Sequence, residues 1–262
     1  MRRSANALLL ILPLAAAGPV VAGETACWFE NGAIVAPAAI ADMAGDFVID
    51  LSAPRTLLHN TKAQMSGYAE TDLTLPVRLA GQRVEAAQVL VSDLDYRSVG
   101  FVTPIAGVIG ADILDRYVVL IDFAPCRLRL EPPGSEAVSG GRALPVTVVG
   151  GVPTVQATAS DGFTSLSGAF ALDTASNGGV RARGDADGPR QKPAGVLAGL
   201  SLDGRLRQQV PAVRAGDLPQ GVTGAVGVAI LSEYSLRLDA QAGRLWLTPA
   251  PKEKGPGVSA GP

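Results

Sequence analysis

The sequence is poor in the residues from which metal and thiol chemistry is built. Its 262 residues include one histidine, His59, and two cysteines, Cys27 and Cys126. An ordinary zinc site needs more of these ligands, so we predict neither a metal nor a cofactor. A Ser-His-Asp triad is also disfavoured, because no nucleophile-elbow motif accompanies the lone histidine. We interpret His59 as a partly buried or surface residue without a catalytic role.

The chain has no large excess of positive or negative charge, and aromatic residues are scarce. The formal net charge is −2, aromatic residues make up 5% of the chain, and no basic patch stands out. Composition therefore gives no reason to expect nucleic acid as a partner. A hydrophobic content of 47% provides for a core, while 31 glycines and 19 prolines indicate many turns. With few long helical patterns, this composition favours a mostly β protein.

Long hydrophobic runs are absent except at the N-terminus. Arg2 and Arg3 precede a short apolar run over residues 7–17, and small residues end at Ala22. This order is typical of a secretory signal peptide, which we assign to residues 1–22. The alternative, an uncleaved membrane anchor, is disfavoured because the run is short for a span. We predict a periplasmic or secreted protein with no membrane span after signal cleavage.

An even number of cysteines in an exported chain suggests one disulfide. A bond between Cys27 and Cys126 would close a loop of roughly 100 residues. In the loop-closure model the lost entropy raises the free energy of the unfolded chain by about 4–5 kcal/mol. Two buried free thiols are the alternative.

An internal repeat organises the chain. Residues 107–132 and 224–249 align without a gap at an offset of 117, and ten of the 26 positions are identical. Average composition would give about two identities by chance. Upstream, residues 47–50 (Phe-Val-Ile-Asp) match residues 170–173 (Phe-Ala-Leu-Asp) at an offset of 123. About six residues are therefore absent from the second copy between these landmarks.

The repeat sets the predicted boundaries. We expect an N-terminal lobe over 27–133, a polar linker over 134–142, a C-terminal lobe over 143–249 and a disordered tail over 250–262. Each copy is predicted to contain an apolar strand that ends at an aspartate, strands that alternate around a glycine turn, a short helical turn and a final hairpin. The helical turn of the first copy is placed at 111–117, and the hairpins at 118–130 and 236–247.

Two aspartates hold matched positions in the copies. Asp50 and Asp173 are the only carboxylates that end equivalent apolar strands. Asp122 and Asp239 also recur, but they precede turns, where aspartate commonly caps the backbone. Asp50 and Asp173 could likewise be strand-end residues without chemistry.

The pattern of apolar residues before Asp50 and Asp173, followed later by apolar pairs closed by Gly110 and Gly227, resembles the aspartic proteases. Over residues 33–249 the chain looks like a tandem of two retropepsin-type lobes of the bacterial exported type, with the bilobal layout of pepsin. The resemblance implies a mostly β fold of two β-barrel lobes related by a pseudo-two-fold axis, each with a short helix. It also implies an Asp50/Asp173 dyad and a substrate cleft near Gly110 and Gly227.

The loops after the two aspartates depart from the Asp-Thr-Gly pattern of that family. The first copy reads Asp50-Leu51-Ser52 and the second reads Asp173-Thr174-Ala175. The resemblance implies that Ser52, Thr174 and Ala175 support the dyad. Thr174 can brace the opposite loop through its hydroxyl, whereas Leu51 cannot. Serine and alanine are the smallest replacements for glycine, which tolerates close backbone approach.

The leading functional hypothesis is an exported aspartic-type endopeptidase that hydrolyses peptides or unfolded proteins. Two carboxylates in contact cannot both ionise easily, so one can act as a base on water while the other donates a proton. The alternatives are a catalytically impaired peptide-binding pseudoprotease of the same fold and a structural β domain of the cell envelope. Because both aspartates lie in one chain, we expect a monomer with an internal pseudo-dimer.

Overall fold

The computed structural model describes residues 22–135, 143–183, 191–215 and 218–250. The predicted signal peptide and tail, and most of the predicted linker, lie outside these ranges, so those three assignments stay predictions.

The described part of the first copy alternates short strands with three short helices. Its elements are β1 (Gly23–Ala26), β2 (Trp28–Glu30), β3 (Ala33–Ile40), β4 (Met43–Ile49), β5 (Thr56–His59), α1 (Asn60–Met65), β6 (Asp72–Leu79), β7 (Gln82–Ser92), α2 (Asp95–Ser98), β8 (Gly107–Ile109), α3 (Ala111–Leu114), β9 (Val118–Phe123) and β10 (Cys126–Glu131).

The described part of the second copy has nine strands and one short helix. Its elements are β11 (Ala143–Val149), β12 (Val152–Ser160), β13 (Ser165–Asp173), β14 (Val180–Arg183), β15 (Gln191–Leu202), β16 (Arg205–Ala215), β17 (Gly224–Gly227), α4 (Val228–Leu231), β18 (Tyr234–Asp239) and β19 (Arg244–Pro249).

The strands form two barrel-like sheets. In the first copy the strand order is β2-β3-β4-β8-β5-β7-β6, and β6 also pairs with β3, which closes the sheet on itself. In the second copy β11 to β17 form a similar sheet, in which β12 also pairs with β15. This mostly β, two-lobed architecture with short helices is the fold class that the sequence predicts.

A six-stranded antiparallel sheet joins the two lobes, in the order β1-β10-β9-β18-β19-β11. At its centre, β9 pairs with β18 so that Leu120 lies opposite Arg237. These two residues are equivalent at the offset of 117. The flanking pairs Ile121–Leu236 and Val119–Leu238 exchange under the same offset. A pseudo-two-fold axis therefore passes between Leu120 and Arg237.

Equivalent turns occur in the two copies. The β6–β7 hairpin turns at Ala80 and Gly81 and the β15–β16 hairpin at Asp203 and Gly204, all four with positive φ. Two consecutive residues of this kind are typical of tight hairpin turns whose twist matches that of the strands. The helical turn predicted at 111–117 is shorter than expected, because α3 ends at Leu114.

One connection differs in length between the copies. Fourteen residues separate β7 from β8, whereas eight separate β16 from β17. The difference accounts for the drop in offset from 123 to 117. The extra residues of the first copy lie in the segment 93–106, which we call the strap and which contains α2. Its Leu94 and Ile105 are buried in a small apolar cluster with Val35 and Val48.

The main core extends through both copies, with Phe47, Ile49, Phe170 and Leu172 on the strands that lead to the two aspartates. Cys27 and Cys126 form a disulfide, as predicted, and it links the start of the first copy to β10. A disulfide fits a protein from outside the reducing cytoplasm. None of the helices in the described residues has the length and apolar character needed to cross a membrane.

Candidate active site

Asp50 directly follows β4, in the interior of the molecule. Strand β4 pairs in parallel with β8, and the Asp50 N–H donates to the Ile109 carbonyl at 3.0 Å. The side chain is therefore fixed by a buried apolar strand, and the residue is only 2% exposed. Its Oδ1 accepts hydrogen bonds from the Ser52 N–H at 2.8 Å and the Ser52 hydroxyl at 2.6 Å.

Asp173 holds the equivalent place at the end of β13. Strand β13 pairs in parallel with β17, with Asp173 opposite Gly227. The residue is 0% exposed. Its Oδ1 accepts a hydrogen bond from the Ala175 N–H at 3.1 Å. Alanine has no hydroxyl, so this loop lacks the second donor that Ser52 supplies in the first copy.

The Thr174 hydroxyl ties the two aspartate loops together. It accepts a hydrogen bond from the Leu51 N–H at 3.0 Å and donates to the Ile49 carbonyl at 2.6 Å. The Thr174 carbonyl also accepts from the Ile34 N–H at 2.9 Å. Leu51 returns no such bond, because its side chain has neither donor nor acceptor and packs in the main core. One loop therefore braces both, in a low-dielectric environment where such bonds are strong.

Each aspartate also forms an ion pair with an arginine, which our reading of the sequence did not anticipate. Arg97 Nη1 of α2 lies 3.2 Å from Asp50 Oδ2, and Arg181 Nη1 of β14 lies 2.7 Å from Asp173 Oδ2. The Arg97 side chain is 31% exposed and that of Arg181 is 16% exposed. Within the described residues, two carboxylates and two guanidinium groups are thus paired at this site.

One of these arginines left a detectable signal in the sequence. In the register of the sheets Arg181 takes the place of Leu57, because Arg181 lies opposite Ala225 and Leu57 lies opposite the equivalent Val108. A cation that replaces an apolar residue of the equivalent strand indicates a charged partner nearby. Arg97 gave no comparable signal, because the strap has no full counterpart in the second copy.

The two carboxylates affect one another. Burial raises the pKa of Asp173, the negative charge of Asp50 raises it further, and the Arg181 guanidinium opposes both effects. A carboxyl group whose pKa is raised by burial and by a second carboxylate is suited to hold a proton at a pH where an ordinary aspartate has lost it.

Burial also raises the pKa of the Tyr117 hydroxyl, at the end of the turn after α3.

Gly110 and Gly227, which we predict to lie near the substrate cleft, are buried beside the aspartate loops. A Cβ at Gly110 would lie 2.8 Å from the Ala53 carbonyl oxygen, and one at Gly227 would lie 2.1 Å from the Gly178 carbonyl oxygen. Contacts this close exclude any side chain. The glycines allow the loops to pack against the strands that carry them, and their contact with substrate stays a prediction.

His59 is buried, not partly exposed, and it supports the strap. Its Nδ1 accepts from the Thr61 N–H at 3.2 Å, and its Nε2 lies 3.1 Å from Asp95 Oδ1. His59, Asp93 and Asp95 could place one ligand atom each around an ion. Because Nδ1 is an acceptor, the neutral ring carries its proton on Nε2 and donates it to Asp95. That tautomer leaves no lone pair on Nε2, so we assign no metal here.

The remaining recurrent aspartates are not part of the site. Asp239 Oδ1 accepts from the Ala242 N–H at 2.9 Å, which caps the β18–β19 turn as predicted. Asp122 is exposed on β9. An open surface depression of about 310 Å³ lies beside β3 and the β6–β7 turn, and neither Asp50 nor Asp173 is among its lining residues.

The fold has a counterpart among solved structures. The chain is similar to an aspartic proteinase from Irpex lacteus, with 11% sequence identity and a TM-score of 0.54, over 88% of this chain and 98% of the other. At this identity the likeness shows the fold alone, which is that of a pepsin-like protease. No protein-family model matches the chain, and neither does any curated protein. The bacterial retropepsin type therefore stays a prediction.

Proposed function

We propose that the protein is an aspartic-type endopeptidase that hydrolyses peptide bonds with a water activated by Asp50 and Asp173. The observation that carries the proposal is that the charge of Asp50 raises the pKa of Asp173, while the Thr174 hydroxyl bonds the loop of one aspartate to the loop of the other. Two carboxylates that share one electrostatic site can divide the roles of base and acid between them.

The surroundings suggest which residue takes which role. Asp50 is contacted by three donors, two from Ser52 and one from Arg97, as a carboxylate requires. Asp173 is fully buried and has a raised pKa. We therefore assign Asp50 as the base that takes a proton from water, and Asp173 as the acid that donates one to the scissile carbonyl oxygen.

The test is cleavage of an unfolded protein such as denatured casein between about pH 3 and 6, followed by gel electrophoresis and mass spectrometry. Asp50→Asn and Asp173→Asn should each lower the cleavage rate by at least about a thousandfold, in line with losses at other catalytic groups. Asp122→Asn is the matched control, because Asp122 also recurs in the copies but is exposed. Full activity in Asp173→Asn would exclude the dyad.

A second function is favoured by a specific observation. Both carboxylates are paired with arginines, which stabilise the ionised form of each and oppose the shared proton. Together with Leu51 in place of threonine, this favours a pseudoprotease that binds peptides without cleaving them. Saturable peptide binding with no product across pH 3 to 8 would select this function over the first.

The expected setting follows from the same proposal. A disulfide-bonded protein with a predicted signal peptide acts in the periplasm or outside the cell, on peptides or unfolded proteins. Since one chain supplies both aspartates, we propose that the monomer is the active form. Activity proportional to protein concentration, with a monomer mass from light scattering, is the expected result.

A further inference from the structure

The structure places one more charged side chain beside the aspartates, on the strap, which is six residues longer than the equivalent connection of the second copy. Arg97 lies on α2, and its neighbours Tyr96 and Val99 are exposed to 70% and 72%. Although α2 is at the surface, both ends of the strap are held. Buried Leu94 and Ile105 anchor it to the apolar cluster, and the Asn31 side chain donates to the Val99 carbonyl at 2.9 Å. The strap therefore holds Arg97 at the edge of the site.

The guanidinium of Arg97 is only partly used. Nη1 contacts Asp50 and Nε donates to the Tyr96 hydroxyl at 3.4 Å. Within the described residues, Nη2 makes no hydrogen bond. A guanidinium has five N–H donors in a planar fork and can bind two carboxylates at once. Arg97 can therefore keep its contact with Asp50 and bind a second oxygen anion.

The chemistry of the guanidinium favours an anion over a neutral acceptor. The Arg97 side chain is 31% exposed, whereas that of Asp50 is 3% exposed, so a ligand at the surface can reach Arg97. A hydrogen bond between ionised groups is shorter and roughly twice as strong as one between neutral groups. A carboxylate that reaches Arg97 therefore binds more tightly than a neutral group of the same shape.

We propose that Arg97 is a specificity-determining residue that binds a carboxylate of the substrate next to Asp50, so that the site takes acidic peptides. The proposal rests on the peptide-binding site proposed above. The carboxylate comes either from an Asp or Glu side chain or from a peptide C-terminus. Arg181 is less suited to this role, because its side chain is more buried and its contact with Asp173 is shorter.

The experiment uses three fluorescein-labelled ten-residue peptides that differ in one carboxylate. One has a central Glu and an amidated C-terminus, one has a central Gln and an amidated C-terminus, and one has a central Gln and a free C-terminal carboxylate. Affinity is measured by fluorescence anisotropy at pH 6, and mass spectrometry checks whether each peptide stays intact. Where a peptide is cleaved, kcat/KM replaces the affinity.

We expect one carboxylate-bearing peptide to be favoured about tenfold over the neutral peptide, as one charge-assisted hydrogen bond allows. The peptide that binds more tightly shows whether the carboxylate comes from an acidic side chain or from the C-terminus. In Arg97→Gln this ratio should fall to about one. Arg97→Lys keeps the charge but not the fork, and should retain roughly threefold preference. Arg127→Gln removes an equal charge from an exposed pair with Glu24, and should leave the ratio at about tenfold.

Two results would overturn the proposal: equal affinities of wild type for all three peptides, or an undiminished preference in Arg97→Gln. Failure of the proposed function looks different. Preference for a carboxylate without any cleavage supports the role of Arg97 and rejects the peptidase, whereas cleavage without preference does the reverse. If none of the peptides binds or is cleaved, both proposals are wrong.

Discussion

The loops after Asp50 and Asp173 occupy equivalent places in the two copies, yet each copy supplies different support. The first loop gives its aspartate two donors from Ser52 and buries Leu51 in the core. The second gives its aspartate one donor from Ala175 but bonds both loops through Thr174. The comparison teaches that both copies keep a carboxylate at the strand end, while the bracing around it is divided between the copies.

The arginines extend this comparison. Arg181 belongs to β14, a strand that follows the Asp173 loop within eight residues. Arg97 comes from the strap, 47 residues from Asp50 along the chain. The second copy therefore pairs its aspartate with a nearby residue, whereas the first uses a segment that is six residues longer than its counterpart. Because Arg97 breaks the symmetry of the pair, it is the residue through which we propose that the site selects acidic peptides.

The largest expected effect concerns the disulfide, which only the first copy contains. At the offset of 117, Cys126 aligns with Gly243. Replacing Cys27 and Cys126 together by serine should lower the free energy of unfolding by about 4 kcal/mol, because 99 residues separate the two cysteines. Urea unfolding measures the change. Fluorescence of Trp28 reports on the first copy and that of Trp246 on the second.

The two tryptophans also sharpen the comparison between the copies. If the copies unfold together, replacing the cysteines should lower the free energy of unfolding by the same amount in the Trp28→Phe and Trp246→Phe backgrounds. If Trp28 and Trp246 report different urea midpoints, and only the Trp28 midpoint falls when the cysteines are replaced, the disulfide stabilises the first copy alone. An unchanged midpoint after reduction would contradict the prediction.

The second prediction compares the two ion pairs. Arg181→Leu should destabilise the protein by about 3 kcal/mol, because it leaves a buried carboxylate without its partner. Arg97→Leu should cost about 1 kcal/mol, since Arg97 is more exposed and its contact with Asp50 is longer. Urea unfolding at pH 8 gives both values. If the two variants lose the same free energy of unfolding, the greater burial of Arg181 has no energetic effect.

Arg181→Leu also has a pH signature. Arg181 is the group that opposes the increase in the pKa of Asp173, so its removal should raise that pKa further. A raised carboxyl pKa gives stability at low pH that is lost as pH rises through the folded-state value. The destabilisation should therefore be smaller at pH 4 than at pH 8. A constant loss across this range would contradict the assignment of the ion pair.

Much of the fold could be predicted because its signals are local or repeated. The apolar strands before Asp50 and Asp173, the hairpin turns at Gly81 and Gly204, and the terminal hairpins follow from period-two patterns and turn residues. The disulfide followed from the presence of two cysteines in a chain with a predicted signal peptide. The pairing of the aspartates followed from their equal positions in the repeat, and the proximity of their charges is consistent with it.

The rest of the site could not be predicted, because its contacts join segments distant in sequence. The ion pair between Arg97 and Asp50 depends on how the strap packs on Leu94 and Ile105, which no local pattern encodes. The burial of Gly110 and Gly227 depends on the path of the loops in front of them. Helices α1 and α2 were missed because they lie in the connections where the copies diverge.

The third prediction concerns the brace that only the second copy provides. Thr174→Val removes the hydroxyl that serves the Leu51 N–H and the Ile49 carbonyl, and leaves both buried without a partner. We expect a loss of about 2 kcal/mol in the free energy of unfolding. Thr174→Ser, which keeps the hydroxyl, should cost about 1 kcal/mol or less. Equal losses for the two variants would show that the methyl group matters and the brace does not.

The smallest expected effect comes from an aspartate that only the first copy has. Burial raises the pKa of Asp115 to about 7, and the charge of Asp112 adds to the increase. Asp115 Oδ1 is buried without a hydrogen bond among the described residues. At the offset of 117 these positions are Ser232 and Ala229, so the second copy avoids the repulsion. Between about pH 4 and pH 7 the folded state holds a proton that the unfolded state has released. Stability therefore falls as pH rises through that window.

Asp115→Asn should remove this dependence. Because the side chain is partly exposed, we expect a gain below about 1 kcal/mol at pH 8 and none at pH 4. Urea midpoints of wild type and variant at pH 4, 5.5 and 8 give the difference, in which the contribution of Asp173 cancels. Asp122→Asn, at an exposed carboxyl, is the control and should leave the pH profile unchanged. If Asp115→Asn and wild type have parallel profiles, the pKa of Asp115 is the same in the folded and unfolded states, and this difference between the copies has no consequence for stability.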